Sequence, residues 1–308
     1  MLSDPKVDAN LKEKLRLAWS AREFGVQELG LRGGDAFTRF VDLHGEPVAW
    51  NVSAAPKDKL VPYYHRFPIT GAVPYLGFFR KEDALKEEQH LRSLGLDTYL
   101  RGVAGYSTLG YTSDPIYSSM LEGSDARIVE VVLHEMLHGT VFLPGRAEWN
   151  ESFATFVGLH GAALFFESHG DPEIGRRLID KAVDREKSQE QFAHFLEPFL
   201  KELEALYRSP VTRDEKLSKR VEIFTRAQKE YERVFPAPPG FRSSFVEQPL
   251  NNAMLLSFSI YHRATFTHEQ MYQRVFRDLA AMIRLYKHAA EDRDDPIDYL
   301  RSLVESTR

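Results

Sequence analysis

Residues 131–158 read VVLHEMLHGTVFLPGRAEWNESFATFVG, and this stretch decides both the predicted fold and the predicted chemistry. Residues four apart on an α-helix lie one above the other, so His134 and His138 can offer both imidazoles to one metal ion at about 2.0 to 2.1 Å. Glu135 is turned about 100° from His134, too far to share the ion but well placed to act on a water molecule beside it. The spacing therefore predicts a zinc site with Glu135 as general base.

A catalytic zinc ion takes three protein ligands and keeps a fourth position open, so a third ligand is expected near the two histidines. The ProGly turn within VFLPGRA lets the chain reverse, and a second helix from about Glu148 then brings Asn150 and Glu151 back toward them. Gly158 shares the face of Glu151 and would allow close approach of the two helices, as small residues do between membrane helices. His160 points to the opposite side of that helix. These positions predict Glu151 as the third ligand and His160 as a core or surface residue.

The composition is that of a globular protein. The chain has 308 residues, of which 43% are hydrophobic and 28% charged, and its formal net charge is −5. This balance gives no support to a nucleic-acid partner, which would need a basic stripe. No run approaches the ~18 to 20 apolar residues of a transmembrane segment. The absence of cysteine excludes disulfides, thiolate metal sites and a cysteine nucleophile.

The N-terminus leaves two locations open. Residues 1–20 contain no basic stretch followed by an apolar core, so no signal peptide is visible. The protein is then cytoplasmic, or the chain begins after a removed leader and belongs to the cell envelope or periplasm.

The predicted secondary structure changes near residue 122. Before it, an amphipathic helix and several strands surround a charged surface helix. After it nearly everything is helical, and Ser124 with Asp125 is the expected N-cap of the helix that carries the histidines. The predicted helices are 11–29, 81–95, 126–142, 148–168, 172–208, 211–234, 246–263 and 268–290, and the predicted strands are 47–55, 67–79 and 97–103. This order predicts an α+β fold. We expect one domain over residues 1–308, with an N-terminal part at 1–122 and a helical part at 123–308 that carries the zinc site.

The motifs HEMLH and NESFATF resemble the gluzincin pattern, in which thermolysin-type zinc enzymes carry HExxH and an Asn-Glu pair on the next helix. Further stretches are similar to a bacterial family of predicted aminopeptidases, namely WNVSAAP, FPITGAVPYLGFF, GVAGYSTLGYTSDP and NNAMLLSFSIYH. The resemblance covers about residues 14–290. It implies a zincin-like metallopeptidase fold, a peptide substrate, and one zinc ion (Zn2+) per chain held by His134, His138 and Glu151.

The resemblance also implies roles outside the ligand set. Glu135 would take a proton from a metal-activated water and pass it to the leaving amine. A donor to the developing oxyanion is also needed, and the candidates are Tyr261 on a late helix and Tyr106, or Tyr111 near it, before the zinc helix. The segment VAGYSTLGY around Tyr106 is expected to pair with extended peptide. Members of the family often carry a lipoprotein-type leader, which allows a lipid anchor upstream of this chain.

Two departures from the thermolysin-type pattern affect the site. The interval between His138 and Glu151 is shorter, and Thr155 stands where those enzymes carry an aspartate bonded to a zinc histidine. The group that fixes the histidine tautomer must then be another one, such as a backbone carbonyl or Glu130. The sequence lacks the Gly-x-Met-Glu-Asn motif of the large zinc aminopeptidases, so endopeptidase action stays open.

Two other functions are compatible with the sequence. A non-catalytic binding or scaffold protein could retain a zincin-like fold and bind a partner through the surface of its helical half. A zinc hydrolase acting on a non-peptide amide would share the site and differ only in substrate. The intact set of His134, Glu135, His138 and Glu151 argues against the scaffold, because decay of a site usually removes the glutamate or a ligand.

Overall fold

A computed structural model of the chain describes residues 4–67, 71–103, 114–236, 243–260 and 265–305. Within these ranges it contains eleven α-helices, seven β-strands and a 3₁₀ turn at Ser118–Leu121. The helices are α1 (Ala9–Gln27), α2 (Lys81–Ser93), α3 (Asp125–His138), α4 (Ala147–Ser168), α5 (Pro172–Arg208), α6 (Arg213–Val234), α7 (Ser244–Glu247), α8 (Asn252–Ile260), α9 (Thr265–Arg274), α10 (Leu279–Asp292) and α11 (Pro296–Glu305). The strands are β1 (Phe40–Val41), β2 (Ala49–Pro56), β3 (His65–Phe67), β4 (Gly71–Val73), β5 (Tyr75–Phe78), β6 (Leu96–Val103) and β7 (Ile116–Tyr117). The predicted α+β class with a mostly helical C-terminal half is confirmed.

The first of two compact units comprises Met1–Ala49, Val103–Glu186 and Arg263–Arg308. Its core is helical, with α3 packed between α1 and α4, and with α10 also against α4. The short strands β1 and β7 pair in parallel, with Phe40 opposite Ile116. Because α3 and α4 are central to this core, their relative position is held by apolar packing on several sides.

The second unit comprises Trp50–Gly102 and Lys187–His262. It contains a three-stranded sheet in the order β5-β2-β6, in which β2 and β5 are antiparallel, and the separate antiparallel pair β3-β4. Residues from β2 and α2 share one small apolar cluster, and a larger cluster includes residues of α5, α6 and α8. The unit is thus built from a small sheet and helices, each with its own apolar contacts.

Asn252 is a fully buried polar residue that ties α8 to other parts of the second unit. Its amide nitrogen Nδ2 donates to Pro56 O (2.8 Å), its Oδ1 accepts from the Tyr207 hydroxyl (2.8 Å), and its backbone N donates to Asp97 Oδ2 (3.0 Å). Arg220 completes the network with two hydrogen bonds to Asp97, at 2.6 and 3.0 Å. A buried polar network of this kind stabilises a fold when its members are paired.

Most of the predicted elements are confirmed. The helix predicted over 11–29 is α1, and Gly30 has the left-handed φ of +69° that ends a helix readily. Ser124 is the N-cap of α3 as predicted. The predicted strands 47–55 and 97–103 correspond to β2 and β6.

Three of the predicted helices are wrong in extent: one ends earlier than predicted, and two are each divided into a pair of helices. The helix expected to run to residue 142 ends at His138, where the chain enters the loop to α4. The helix predicted over 246–263 is divided into α7 and α8, because Pro249 cannot donate a helical hydrogen bond and the Asn251 side chain caps the new helix at Met254 N. The helix predicted over 268–290 is divided into α9 and α10 by two left-handed residues, Phe276 and Arg277.

None of the helices within the described residues combines the length and the apolar character needed to cross a bilayer.

Candidate metal centre

The helix α3 carries both candidate histidines on one face and is otherwise deeply buried. Its N-terminus is capped by Ser124 Oγ, which accepts a hydrogen bond from Arg127 N at 3.4 Å. The residues that are completely inaccessible to solvent are Ile128, Val129, Val132 and Leu133. His138 is buried and His134 is partly exposed. The apolar faces therefore fix the orientation of α3 and leave the histidine face for a ligand.

Gly158 lies where α4 approaches α3 most closely. A Cβ atom at this position would lie 2.8 Å from Glu130 O and 3.2 Å from His134 Cβ, closer than side-chain carbons normally come. Only glycine therefore permits this separation of the two helices. The predicted role of Gly158 in close helix approach is confirmed.

Asn150 holds the loop between the two helices. Its Oδ1 accepts a hydrogen bond from Leu143 N at 2.9 Å, and its Nδ2 donates to Leu143 O at 2.8 Å. Asn150 is 5% exposed, so these bonds also satisfy backbone groups away from water. In the Asn-Glu pair, Asn150 fixes the chain reversal while Glu151 faces the histidines, a division of roles that the sequence did not reveal.

The three predicted ligands come together on α3 and α4. The Nε2 atoms of His134 and His138 are 3.2 Å apart. Glu151 places Oε2 at 3.8 Å from His134 Nε2 and Oε1 at 3.7 Å from His138 Nε2. Donor atoms bound tetrahedrally to zinc at 2.0 to 2.1 Å are about 3.3 Å from one another. The histidine pair has this spacing, and a small movement of the carboxylate would bring it to the same value.

These three residues form a metal-binding group by their chemistry as well as by their distances. Their candidate ligand atoms all lie within 4.8 Å of one another, and in the described parts of the chain no other cluster of three such side chains was found. Two imidazoles and one carboxylate are a donor set that zinc takes in hydrolases. The site therefore fits a zinc ion with a position left for a further ligand.

Glu135 lies next to His134 in the sequence and is only 8% exposed. Burial, with a further contribution from the negative charges of Glu151 and Asp114, raises the pKa of its carboxyl to about 8, while Arg127 acts in the opposite direction. A divalent cation between the ligands would favour the ionised form and lower this pKa. No sequence motif indicated Asp114, which is itself buried and acts on Glu135 only because of the fold.

Glu130 precedes His134 by one helical turn and is almost completely buried. Its Oε1 accepts a hydrogen bond from Arg127 Nη1 at 2.8 Å, and Lys181 Nζ lies 3.6 Å from Oε2. Two cationic groups therefore balance this buried carboxylate. The role of Glu130 in fixing a histidine tautomer stays a prediction.

His160 belongs to the core, as the sequence predicted. Its ring stacks on Phe156 at a centroid distance of 4.1 Å and meets Tyr272 edge-on at 4.9 Å. Burial lowers its pKa to about 4, although Glu269, with Oε2 at 3.8 Å from Nε2, acts in the opposite direction. The ring is therefore neutral near pH 7.

The predicted oxyanion donors lie outside the described residues. Tyr106 and Tyr111 fall within residues 104–113, together with the segment expected to pair with peptide, and Tyr261 falls within residues 261–264. Their roles stay predictions.

Comparison with known proteins identifies the family. The family described as "Putative aminopeptidase" matches residues 1–296, and the chain therefore belongs to it. Searches of curated proteins and of solved structures gave no match. Membership confirms the resemblance to predicted aminopeptidases and identifies peptides as the substrate class that the family name implies.

Proposed function

We propose that this member of the aminopeptidase family is a zinc-dependent peptidase of the gluzincin type, with one zincin-like metallopeptidase domain over residues 1–308. His134, His138 and Glu151 hold the metal, and Glu135 is the general base. The observation that carries the proposal is the convergence of two imidazole nitrogens and one carboxylate within 4.8 Å, on helices that Gly158 allows to meet. Zinc is the metal that best suits this set of nitrogen and oxygen donors in a hydrolase.

The chemistry divides between the metal and Glu135. Zinc, when bound, lowers the pKa of a water molecule from 15.7 to about 7 and polarises a carbonyl group as a Lewis acid. The carboxylate of Glu135 removes a proton from the attacking water while the water oxygen bonds to the peptide carbonyl carbon. Glu135 then delivers that proton to the amine nitrogen as the C–N bond breaks. The proton is therefore conserved on Glu135 between the two steps.

The developing negative charge on the carbonyl oxygen needs a hydrogen-bond donor. Tyr261 and Tyr106 are our proposed donors. Tyr261 follows directly after the last residue of α8, and Tyr106 precedes the described chain that leads through Asp114 into α3.

The family description favours aminopeptidase action over endopeptidase action. Burial is the main cause of the raised pKa of Glu135, and the negative charge of Asp114, which is not a proposed metal ligand, adds to it. A substrate with a free N-terminus brings a positively charged α-amine, which the carboxylate of Asp114 would attract. A blocked peptide lacks this charge.

A cleavage assay with paired substrates tests the proposal. Peptides with a free N-terminus and the same peptides with an acetylated N-terminus are incubated with the full chain, with and without a chelator, and the products are identified by mass. We expect removal of N-terminal residues from free peptides only, abolished by the chelator and restored by zinc. Absence of any zinc-restored cleavage would support the non-catalytic scaffold instead, and internal cleavage of acetylated peptides would support an endopeptidase.

A further inference from the structure

Three polar side chains form a hydrogen-bonded network next to the candidate metal centre: His268 and Tyr286 are buried, and Ser152 is half-buried. His268, on α9, is completely inaccessible to solvent. Its Nε2 is 2.9 Å from Ser152 Oγ on α4, and its Nδ1 is 3.1 Å from the hydroxyl of Tyr286 on α10. Ser152 is the residue that follows Glu151 in the sequence. This network therefore connects Ser152, the neighbour of a proposed metal ligand, to the helices α9 and α10 of the same unit.

The hydrogen bonds of this network run in one direction, from Tyr286 through His268 to Ser152. Ser152 Oγ donates to Trp149 O at 3.0 Å, so it is free to accept from His268 Nε2–H. Nδ1 of the same ring then carries no proton and accepts from the Tyr286 hydroxyl. Burial lowers the pKa of His268 to about 3, which keeps the ring neutral as this arrangement requires. Each of the three donors has an acceptor, so the side chains hold one another in a single arrangement.

Glu151 is placed between two anchored residues. Successive residues on an α-helix are about 100° apart around its axis, so Asn150 and Ser152 project on either side of Glu151. Asn150 is fixed to the loop at Leu143, and Ser152 is fixed to His268. These two anchors oppose rotation of the first turns of α4 in either direction.

Rotation of α4 would matter for metal binding. Side chains reach about 5 to 6 Å from a helix axis, so a rotation of about 10° displaces a terminal atom by about 1 Å. Metal–ligand distances tolerate only about 0.2 Å. We propose that Ser152, His268 and Tyr286 form a relay that positions Glu151 for metal binding, an inference that rests on the proposed zinc site.

Two conservative variants test the relay without removing a ligand. Ser152→Ala and Tyr286→Phe each remove one hydroxyl group, and the full chain is compared in two measurements: the zinc dissociation constant by competition with a chromophoric chelator, and the unfolding midpoint of the metal-free protein. We expect the zinc dissociation constant to rise about tenfold in each variant, at the lower end of the range for loss of groups that orient a metal ligand, because neither hydroxyl bonds to Glu151 itself. Ser152→Thr retains the hydroxyl and should recover the affinity.

A matched control comes from the second unit. Tyr207→Phe removes a buried hydroxyl that donates to Asn252 Oδ1 at 2.8 Å, far in sequence from every proposed ligand. It should lower the unfolding midpoint and leave the zinc dissociation constant within about twofold of wild type, the change expected when two sites do not interact.

The outcomes separate the relay from the proposed function. A wild-type chain that binds no zinc overturns the zinc site, and the relay with it. A wild-type chain that binds zinc, with Ser152→Ala and Tyr286→Phe binding it as tightly, overturns the relay alone. Loss of affinity in Tyr207→Phe equal to that in Tyr286→Phe also overturns it, because the effect would then be general destabilisation.

Discussion

Replacement of Gly158 by alanine should separate the two metal-binding helices. The new Cβ would lie 2.8 Å from Glu130 O, whereas ordinary contacts begin at 3.4 Å. One backbone must therefore move by about 0.6 Å, which exceeds the ~0.2 Å tolerance of metal–ligand distances. Because both histidines lie on α3 and Glu151 lies on α4, this movement stretches the ligand set. We expect the zinc dissociation constant to rise at least tenfold.

The same substitution should change stability less than it changes metal binding. Overpacking costs about 1 to 3 kcal/mol, and the better helix propensity of alanine offsets about 1 kcal/mol of that. The free energy of unfolding of the metal-free protein should therefore fall by no more than about 2 kcal/mol. Urea unfolding measures the stability, and competition with a chelator measures the affinity.

Gly161→Ala is the matched control for Gly158→Ala. The new Cβ would meet Leu133 Cδ1 at 2.9 Å and Leu29 Cδ1 at 3.1 Å, which are ends of flexible side chains and not backbone atoms. These methyl groups can move without displacing α3, so the zinc affinity should stay near that of wild type. Gly158→Ala protein with wild-type zinc affinity would refute the argument that helix separation controls the site.

Three further variants probe individual residues. Asn150→Ala removes both hydrogen bonds to Leu143 and leaves its buried backbone groups unpaired, so the free energy of unfolding should fall by about 2 kcal/mol or more in urea titrations; an unchanged midpoint would contradict the anchoring role. Below pH 6.5 the unfolded chain takes up a proton at His160, which the folded protein accepts only near pH 4. Wild type should therefore lose about 1.4 kcal/mol more stability per pH unit than His160→Gln in that window, and parallel stability curves would refute this. Glu135→Gln should retain bound zinc and lose about 10²- to 10⁴-fold in kcat, and loss of the metal in this variant would assign Glu135 a different role.

The sequence predicted the elements that depend on local patterns. The histidine spacing in α3, the Ser124 cap and the glycine at 158 each express a short-range rule of helix geometry. The same rules predicted that Glu151 lies near the histidines, because a short loop with a ProGly turn leaves few ways to connect two packed helices.

Features that depend on distant contacts were not predicted. Phe276 and Arg277 adopt left-handed backbone angles without glycine or proline to indicate a break between α9 and α10. His268 meets Ser152 across 116 positions of sequence, so no periodic pattern relates them. Each of the two compact units is made of separate segments that alternate along the chain. The change in predicted secondary structure near residue 122 does not indicate this division.

Zinc stoichiometry measured by equilibrium dialysis and elemental analysis tests the central claim most directly. The wild-type chain should bind one zinc ion, and Glu151→Ala should bind it at least a hundredfold more weakly, because it removes one of three protein ligands. A wild-type chain without zinc, or a Glu151→Ala chain that binds it as tightly as wild type, would contradict the proposed metal centre.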